Sequence, residues 1–238
     1  MEAVPGSGQL TALQSRPGPA TVGPVNQWHV EHWRGTAADF HGFVPPSRRT
    51  MWVVELTGPA VVLGSTQAAE SVDADVAAAM GVSVTRRHSG GGAVWLHPER
   101  SVWLDFTIPR GDPVWEDDVP SSMGWLGDVF RDALRGVQLA EVVDTPYDAT
   151  PLARAVCFGG LAPGEVVTSG AKTVGISQRR TREGARFQCV AYTRWDVEEW
   201  VDVLADPGVR RSVRELQVAE IAVNADEFVR RVHSCLPG

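Results

Sequence analysis

Apolar and polar positions alternate over Met51-Trp-Val-Val-Glu-Leu56 and Ala60-Val-Val-Leu63, each followed by turn-forming residues, which predicts two strands. Val82-Ser-Val-Thr85, Trp103-Leu-Asp-Phe-Thr-Ile108, Thr173 to Ile176 and Arg186-Phe-Gln-Cys-Val-Ala-Tyr192 read in the same way. Helical spacing takes over elsewhere. Ser71 to Met80 predicts a helix with Ser71 as its N-cap and Gly81 as its stop. Ser122 to Leu134 predicts another, with Trp125, Val129, Phe130 and Leu134 on one apolar face. Asp196 and Glu199 have the spacing of a capping box and predict a third, and Asp226 to Cys235 a fourth. Trp28 to Phe43 opens the fold, with Trp33, Ala37, Ala38 and Phe40 near helical spacing. Strand pairs with interspersed helices and no regular βαβ period indicate a mixed sheet packed by helices. Residues 1–26 are rich in Gly, Pro, Ser and Ala without periodicity, which predicts a flexible arm and leaves 27–238 as one domain without internal repeats.

Composition narrows the possibilities. At 238 residues and 43% hydrophobic content, the chain can bury a large core within one α/β domain. A formal charge of −7 argues against a general nucleic-acid binder, whose footprint would be basic. The three cysteines lack framework spacing and suit a reducing cytoplasm. No run approaches the roughly eighteen apolar residues of a membrane span, and Met1-Glu-Ala-Val-Pro lacks the basic start of a signal peptide. The histidines and cysteines show no zinc spacing, so no structural metal is expected.

Two segments carry candidate chemistry. Lys172 is the only lysine; every other member of the 22 basic residues is arginine. An ammonium is a compact point charge with three donors, whereas guanidinium is a rigid planar fork, so a tightly shaped oxyanion site does not accept one for the other. Lys172 follows the Ser169-Gly170 turn signal, which places it at the start of a strand, the second arm of a hairpin whose first arm is Gly164 to Thr168. The second segment is Arg86-Arg-His-Ser-Gly-Gly-Gly-Ala-Val-Trp95. Three successive glycines remove every Cβ, so backbone N–H groups can approach an anion and form a nest of donors. Arg86, Arg87 and Ser89 add donors suited to phosphate or carboxylate. The spacing is neither a Walker A loop nor a dinucleotide fingerprint.

Together, Arg86-Arg87-x-Ser89-Gly90-Gly91-Gly92-Ala93-Val94 and the downstream Gly170-x-Lys172-x-x-Gly175-x-x-Gln178 resemble the catalytic domain shared by lipoate-protein ligases, octanoyltransferases and biotin-protein ligases, with the lipoate-protein ligase A branch the nearer match. The resemblance runs from about Met51 to Asp196 and includes Val62-Leu-Gly-Ser-Thr-Gln67. It implies an α/β (α+β) fold with a mixed, largely antiparallel sheet packed by helices. It implies that Arg87 and the Gly92-Ala-Val-Trp95 backbone line the pocket for an acyl carboxylate or adenylate, and that Lys172 binds its carbonyl or phosphate oxygen. The implied reaction uses ATP and Mg to activate lipoate or octanoate and delivers the acyl group to a lysine of a lipoyl carrier domain, as in 2-oxoacid dehydrogenases or the glycine cleavage H protein. Biotin is the disfavoured acyl group.

The chain departs from the ligase pattern after the glycines. It reads His97-Pro-Glu-Arg-Ser-Val-Trp-Leu-Asp105 where ligases carry an Asp-x-Gly-Asn-type turn. Asp105 on the following strand stands either as a substitute metal ligand or as the partner of a buried arginine. Cys157, fifteen residues before Lys172, is placed like the nucleophile of an ATP-independent octanoyltransferase that takes its acyl group from acyl carrier protein; the other reading is an ordinary core cysteine. A further alternative keeps the pocket without turnover, as an acyl-binding pseudoenzyme. Cys189 reads as core, His88 as solvent or pocket rim, and Arg179-Arg-Thr-Arg182 as either a contact for an acidic carrier domain or a solvated hairpin end. Trp95 and Trp103 stand between an acyl tunnel and the core.

Overall fold

The computed structural model describes residues 27–238, so the expected arm over 1–26 lies outside the described residues. In chain order the elements are β1 (His29–Gly35), α1 (Ala37–Gly42), β2 (Thr50–Leu56), β3 (Ala60–Leu63), α2 (Ala74–Ala79), β4 (Ser83–Arg86), β5 (Val94–Leu96) and β6 (Ser101–Pro109). There follow α3 (Gly124–Ala133), β7 (Glu141–Val142), α4 (Pro151–Ala155), β8 (Val166–Thr168), β9 (Ala171–Arg180), β10 (Gly184–Tyr192), α5 (Pro207–Arg214) and α6 (Ala225–Ser234). A seven-stranded sheet runs β1-β2-β6-β10-β9-β8-β7, and a three-stranded sheet runs β4-β3-β5. Only β1–β2 and β3–β4 pair in parallel, so the fold is the expected mixed, largely antiparallel one.

Side-chain alternation divides the core into two layers. Val102, Leu104, Phe106 and Ile108 of β6 join Phe187, Cys189 and Ala191 of β10 beneath α3 and α6, where Phe130 stacks on Phe228 at 5.9 Å. On the opposite face Trp52, Trp103, Val190 and Tyr192 pack against the small sheet and Phe40. Both faces of β6 are therefore buried. Each large apolar side chain enclosed here contributes about 1.5–3 kcal/mol.

Several local expectations shift. Trp33 lies on β1 rather than on a helix, and α1 begins only after Thr36, whose hydroxyl accepts from Asp39 N in a capping box. The helix expected from Ser71 starts later because Asp73 is the better cap: its carboxylate accepts from Asp75 N and Val76 N, while Ser71 Oγ donates to Ala68 O. Asp196 and Glu199 do not cap a helix. Arg100 draws both carboxylates, and the segment closes into short 3₁₀ turns at Val197–Glu199 and Val201–Val203. The other two helices fall where expected, with Asn224 as the cap of α6.

Candidate active site

The two motifs meet between the sheets. Ser169 and Gly170 adopt φ of 51° and 80°, the left-handed pair of a two-residue hairpin turn that matches strand twist. That turn launches β9 with Lys172 as its second residue, and Lys172 is only 3% exposed. Its ammonium lies 2.8 Å from Oε1 and 2.7 Å from Oε2 of Glu165, and donates to the Cys157 carbonyl at 2.6 Å. Glu165 also accepts from Ala162 N and Ile176 N. Burial pushes its carboxyl pKa up, against the pull of Lys172. A buried cation without such a counter-charge would be costly.

The glycine loop is held from beneath. Arg87 is buried and spends its terminal nitrogens on the carbonyls of Val62, Gly90 and Gly92. Arg86 turns the other way and binds the carbonyls of Gly64, Ser65 and Gln67, fixing the turn after β3. Both arginines brace loops through their carbonyls, and Arg87 also lines the small apolar pocket beside the glycine loop. With the carbonyls of Gly90 and Gly92 drawn inward, no acceptor among the described residues meets the N–H groups of Gly90, Gly91 and Gly92, which border the cleft. Close backbone approach demands glycine twice: a Cβ on Gly64 would lie 1.9 Å from Gly91 O, and one on Gly92 2.5 Å from Val156 N.

Two neighbouring cavities result. A wide cleft, about 1780 Å³ with its mouth, is bordered by Gly90 to Gly92, Gln67, Arg154, Lys172 and Gln178. A narrow pocket with room for about 20 Å³, walled by Val62, Val94, Leu96, Gly175 and Val190, shares Cys157 and Ser177 with it. Ser89 Oγ lies below the loop, 3.0 Å from both Ser177 Oγ and Gln188 Oε1. Ala93 and Trp95 are set back from both cavities: Ala93 exchanges backbone bonds with Ala155 and Cys157, and Trp95 stacks on Trp200 at 6.0 Å in the core. Trp103, by contrast, lines the narrow pocket.

Asp105 is spoken for. Arg186 Nε donates to both its oxygens, at 3.0 and 2.8 Å, and burial raises its pKa to about 6. It serves as the buried partner of the partly exposed Arg186 rather than as a metal ligand. Among the described residues no group of three or more His, Cys, Asp or Glu is placed to hold a metal ion, and Glu165, held by Lys172, is the cleft's only lining carboxylate. The chain's own side chains therefore do not fit a protein-ligated Mg. Cys157 is a free, partly exposed thiol at the junction of the two cavities, whereas Cys189 is buried under the helices. His88 lines a separate outer cleft with Arg179 and Arg186. Glu165, Ser177, Gln188 and His41 are site residues that the sequence reading missed; for Glu165 a lone acidic residue within the apolar hairpin arm before Lys172 was the available signal.

A glycine loop and a buried lysine border one cleft beside a small apolar pocket, on a mixed sheet of the α/β class. The Lipoyl protein ligase A/B catalytic domain matches residues 27–236, and the chain belongs to that family. Among solved structures, lipoate-protein ligase A bound with ATP has 16% identity over 85% of this chain and 81% of its own, with a TM-score of 0.65. The T. acidophilum protein Ta0514 with bound lipoic acid has 15% identity over 87% and 83%, also at 0.65. The bi-partite lipoate protein ligase of Thermoplasma acidophilum, studied with its E2 lipoyl domain, has 17% identity over 87% and 80%, at 0.62. These likenesses show the fold. Among proteins of curated function none matches this sequence. No helix among the described residues is long and apolar enough to cross a membrane.

Proposed function

We propose that this protein transfers a lipoyl or octanoyl group to a lysine of a lipoyl carrier domain through an acyl-adenylate, in the cytoplasm. The observation that carries the reading is the convergence of three uncommitted glycine amides and Lys172 on the cleft, where a narrow apolar pocket opens at Cys157 and Ser177. The acid lies in the wide cleft with its carboxylate toward the glycine loop and Lys172. There one carboxylate oxygen attacks the α-phosphorus of ATP and pyrophosphate leaves. Fixed N–H donors and an ammonium stabilise the charge that develops on the phosphoryl oxygens. Arg154, which borders the cleft without an acidic partner among the described residues, adds a cation for phosphate. The carrier amine then attacks the acyl carbonyl, AMP departs and an amide forms. The relatives solved with ATP, with lipoic acid and alongside an E2 lipoyl domain support this reading.

One observation favours a second route. The Cys157 thiol stands where pocket and cleft meet, the position a nucleophile would need to take an acyl group from acyl carrier protein as a thioester and pass it on. The test follows the mass of an apo lipoyl domain incubated with the protein and either octanoate plus Mg-ATP or octanoyl-acyl carrier protein. Modification with ATP alone, unchanged by Cys157→Ser, supports the ligase. Modification from the thioester alone, abolished by Cys157→Ser, supports the transferase, and binding of the acid without modification in either tube supports the pseudoenzyme.

A further inference from the structure

The outer cleft takes no part in either route. It has room for about 300 Å³, and its lining includes His88, Arg179 and Glu183 beside an apolar rim of Val44, Pro45 and Pro46. None of these residues borders the wide cleft or the small pocket. The outer cleft is nevertheless next to the reaction site. His88 precedes Ser89 and Gly90, and Arg179 follows Gln178, while Gly90 and Gln178 themselves line the wide cleft.

Charge at this end of the sheet is not balanced within the chain. Arg179 on β9, Arg182 in the turn between β9 and β10, and Arg110 just after β6 are exposed. Their side chains form no hydrogen bond or ion pair among the described residues. Register gathers them: Arg179 pairs with Arg186 across β9 and β10, Gly184 pairs with Pro109, and Arg110 N donates to Glu183 O at 2.7 Å. Several exposed arginines elsewhere are matched, as Arg48 is by Glu31, Arg194 by Asp196 and Arg214 by Glu198. Two neighbours are already committed. Arg186 serves Asp105 and the carbonyls of Phe40 and Phe43, and Arg180 lies over the Trp115 ring with its nitrogens on the carbonyls of Glu116 and Asp117. Glu183 is the only carboxylate in the cleft lining. Burial, and then the charges of Arg179 and Arg186, lower the His88 pKa. In a chain of net charge −7, unpaired guanidinium groups gathered beside the reaction site attract an acidic surface. Val44 is 86% exposed and is followed by two prolines of fixed φ, so this apolar knob loses little freedom when a partner covers it.

We propose that the outer cleft and the hairpin beside it dock the acceptor carrier domain, with carboxylates of the carrier on Arg110, Arg179 and Arg182 and an apolar side chain against Val44. The inference rests on the acyl-transfer reading above and names the surface that recognises the carrier. A carrier docked here has only the His88-Ser89-Gly90 rim between it and the wide cleft that its lysine must enter. The surface touches neither the acid nor the nucleotide, so it acts on recognition of the carrier alone.

The test measures initial rates of modification of an apo lipoyl domain by the full chain, with whichever acyl donor supports turnover held saturating. In the double variant Arg179→Glu, Arg182→Glu, KM for the lipoyl domain should rise about tenfold, while kcat and the KM for the acyl donor stay within about twofold. Arg34→Glu is the control: Arg34 is exposed and pairs with Glu55, at the end of the sheet away from Pro109, and its replacement should change KM by less than about twofold. Raising NaCl from about 0.05 M to about 0.5 M should raise the wild-type KM more than that of the double variant. An unchanged KM in the double variant, or an equal rise in Arg34→Glu, overturns the proposal and leaves the acyl-transfer reading standing. A loss of kcat at constant KM, or a rise confined to the KM of acyl carrier protein, assigns these arginines to another step and overturns it as well. No modification by the wild type with either donor removes the acyl-transfer reading and this inference with it.

Discussion

Replacing Glu165 by Gln tests whether Lys172 is held by a buried counter-charge. Each oxygen of Glu165 faces donors on two sides: Oε1 accepts from Lys172 and Ile176 N, and Oε2 lies 2.7 Å from both Lys172 Nζ and Ala162 N. Either orientation of a glutamine amide sets its NH₂ against a backbone N–H, and the ammonium, 3% exposed, loses its carboxylate. Breaking one side of a buried pair costs about 3–5 kcal/mol. Lys172→Met should cost less, because Glu165, whose pKa burial already raises, can take up a proton and become neutral. The double variant should then recover about 2 kcal/mol or more relative to the sum of the single effects. Urea unfolding followed by tryptophan fluorescence, to which nine tryptophans contribute, measures all four states of the cycle. A cost below about 1 kcal/mol for Glu165→Gln, or additivity within about 0.5 kcal/mol, would refute the pairing argument.

Lys172→Arg keeps the charge but places a planar fork where a point charge fits between Glu165 and the Cys157 carbonyl; acyl transfer to a lipoyl domain should fall about a hundredfold with the circular dichroism spectrum unchanged. Gly64→Ala puts a Cβ 1.9 Å from Gly91 O, so the glycine loop must move; a loss of about 1–3 kcal/mol in stability together with weakened nucleotide binding is expected, and a silent variant would count against the close approach. Two buried groups pull stability in opposite directions with pH. Asp105, raised to about 6, favours its protonated form in the fold, so its contribution of about 3 kcal/mol is lost as pH rises from about 4 to 6. His41, lowered to about 3, favours its neutral form, so stability is lost as pH falls below about 6.5. His41→Phe should therefore gain stability relative to wild type on acidification from pH 6.5 to 4, and Asp105→Asn should lose relative stability over the same titration; thermal melts across that range give both differences.

Local signals carried the outline of the fold. Period-two alternation placed the strands at 51–56, 60–63 and 103–108, and the Ser169-Gly170 turn placed Lys172 at the head of its strand. Where two local signals competed, the sequence alone misled: Ser71 and Asp73 both resemble caps, and the Asp196–Glu199 pair was diverted by Arg100, which is far away in sequence. Two short helices were missed although Thr150-Pro151 and Asp206-Pro207 carry the cap-then-proline signature of a helix start.

The sequence by itself determined which residue types can do chemistry here: one lysine, three glycines in a row and a cysteine fifteen residues before the lysine. Only the tertiary structure decided what those residues face. Arg87 turns beneath the loop, Asp105 belongs to Arg186, Glu165 neutralises Lys172, and His41 reaches the pocket through Gln188. The division has a physical cause. Backbone conformation and side-chain alternation depend on neighbours a few residues away, whereas the partner of a buried charge is set by which strands come to lie side by side, at the separations of 81 residues for Asp105 and Arg186 and 147 for His41 and Gln188.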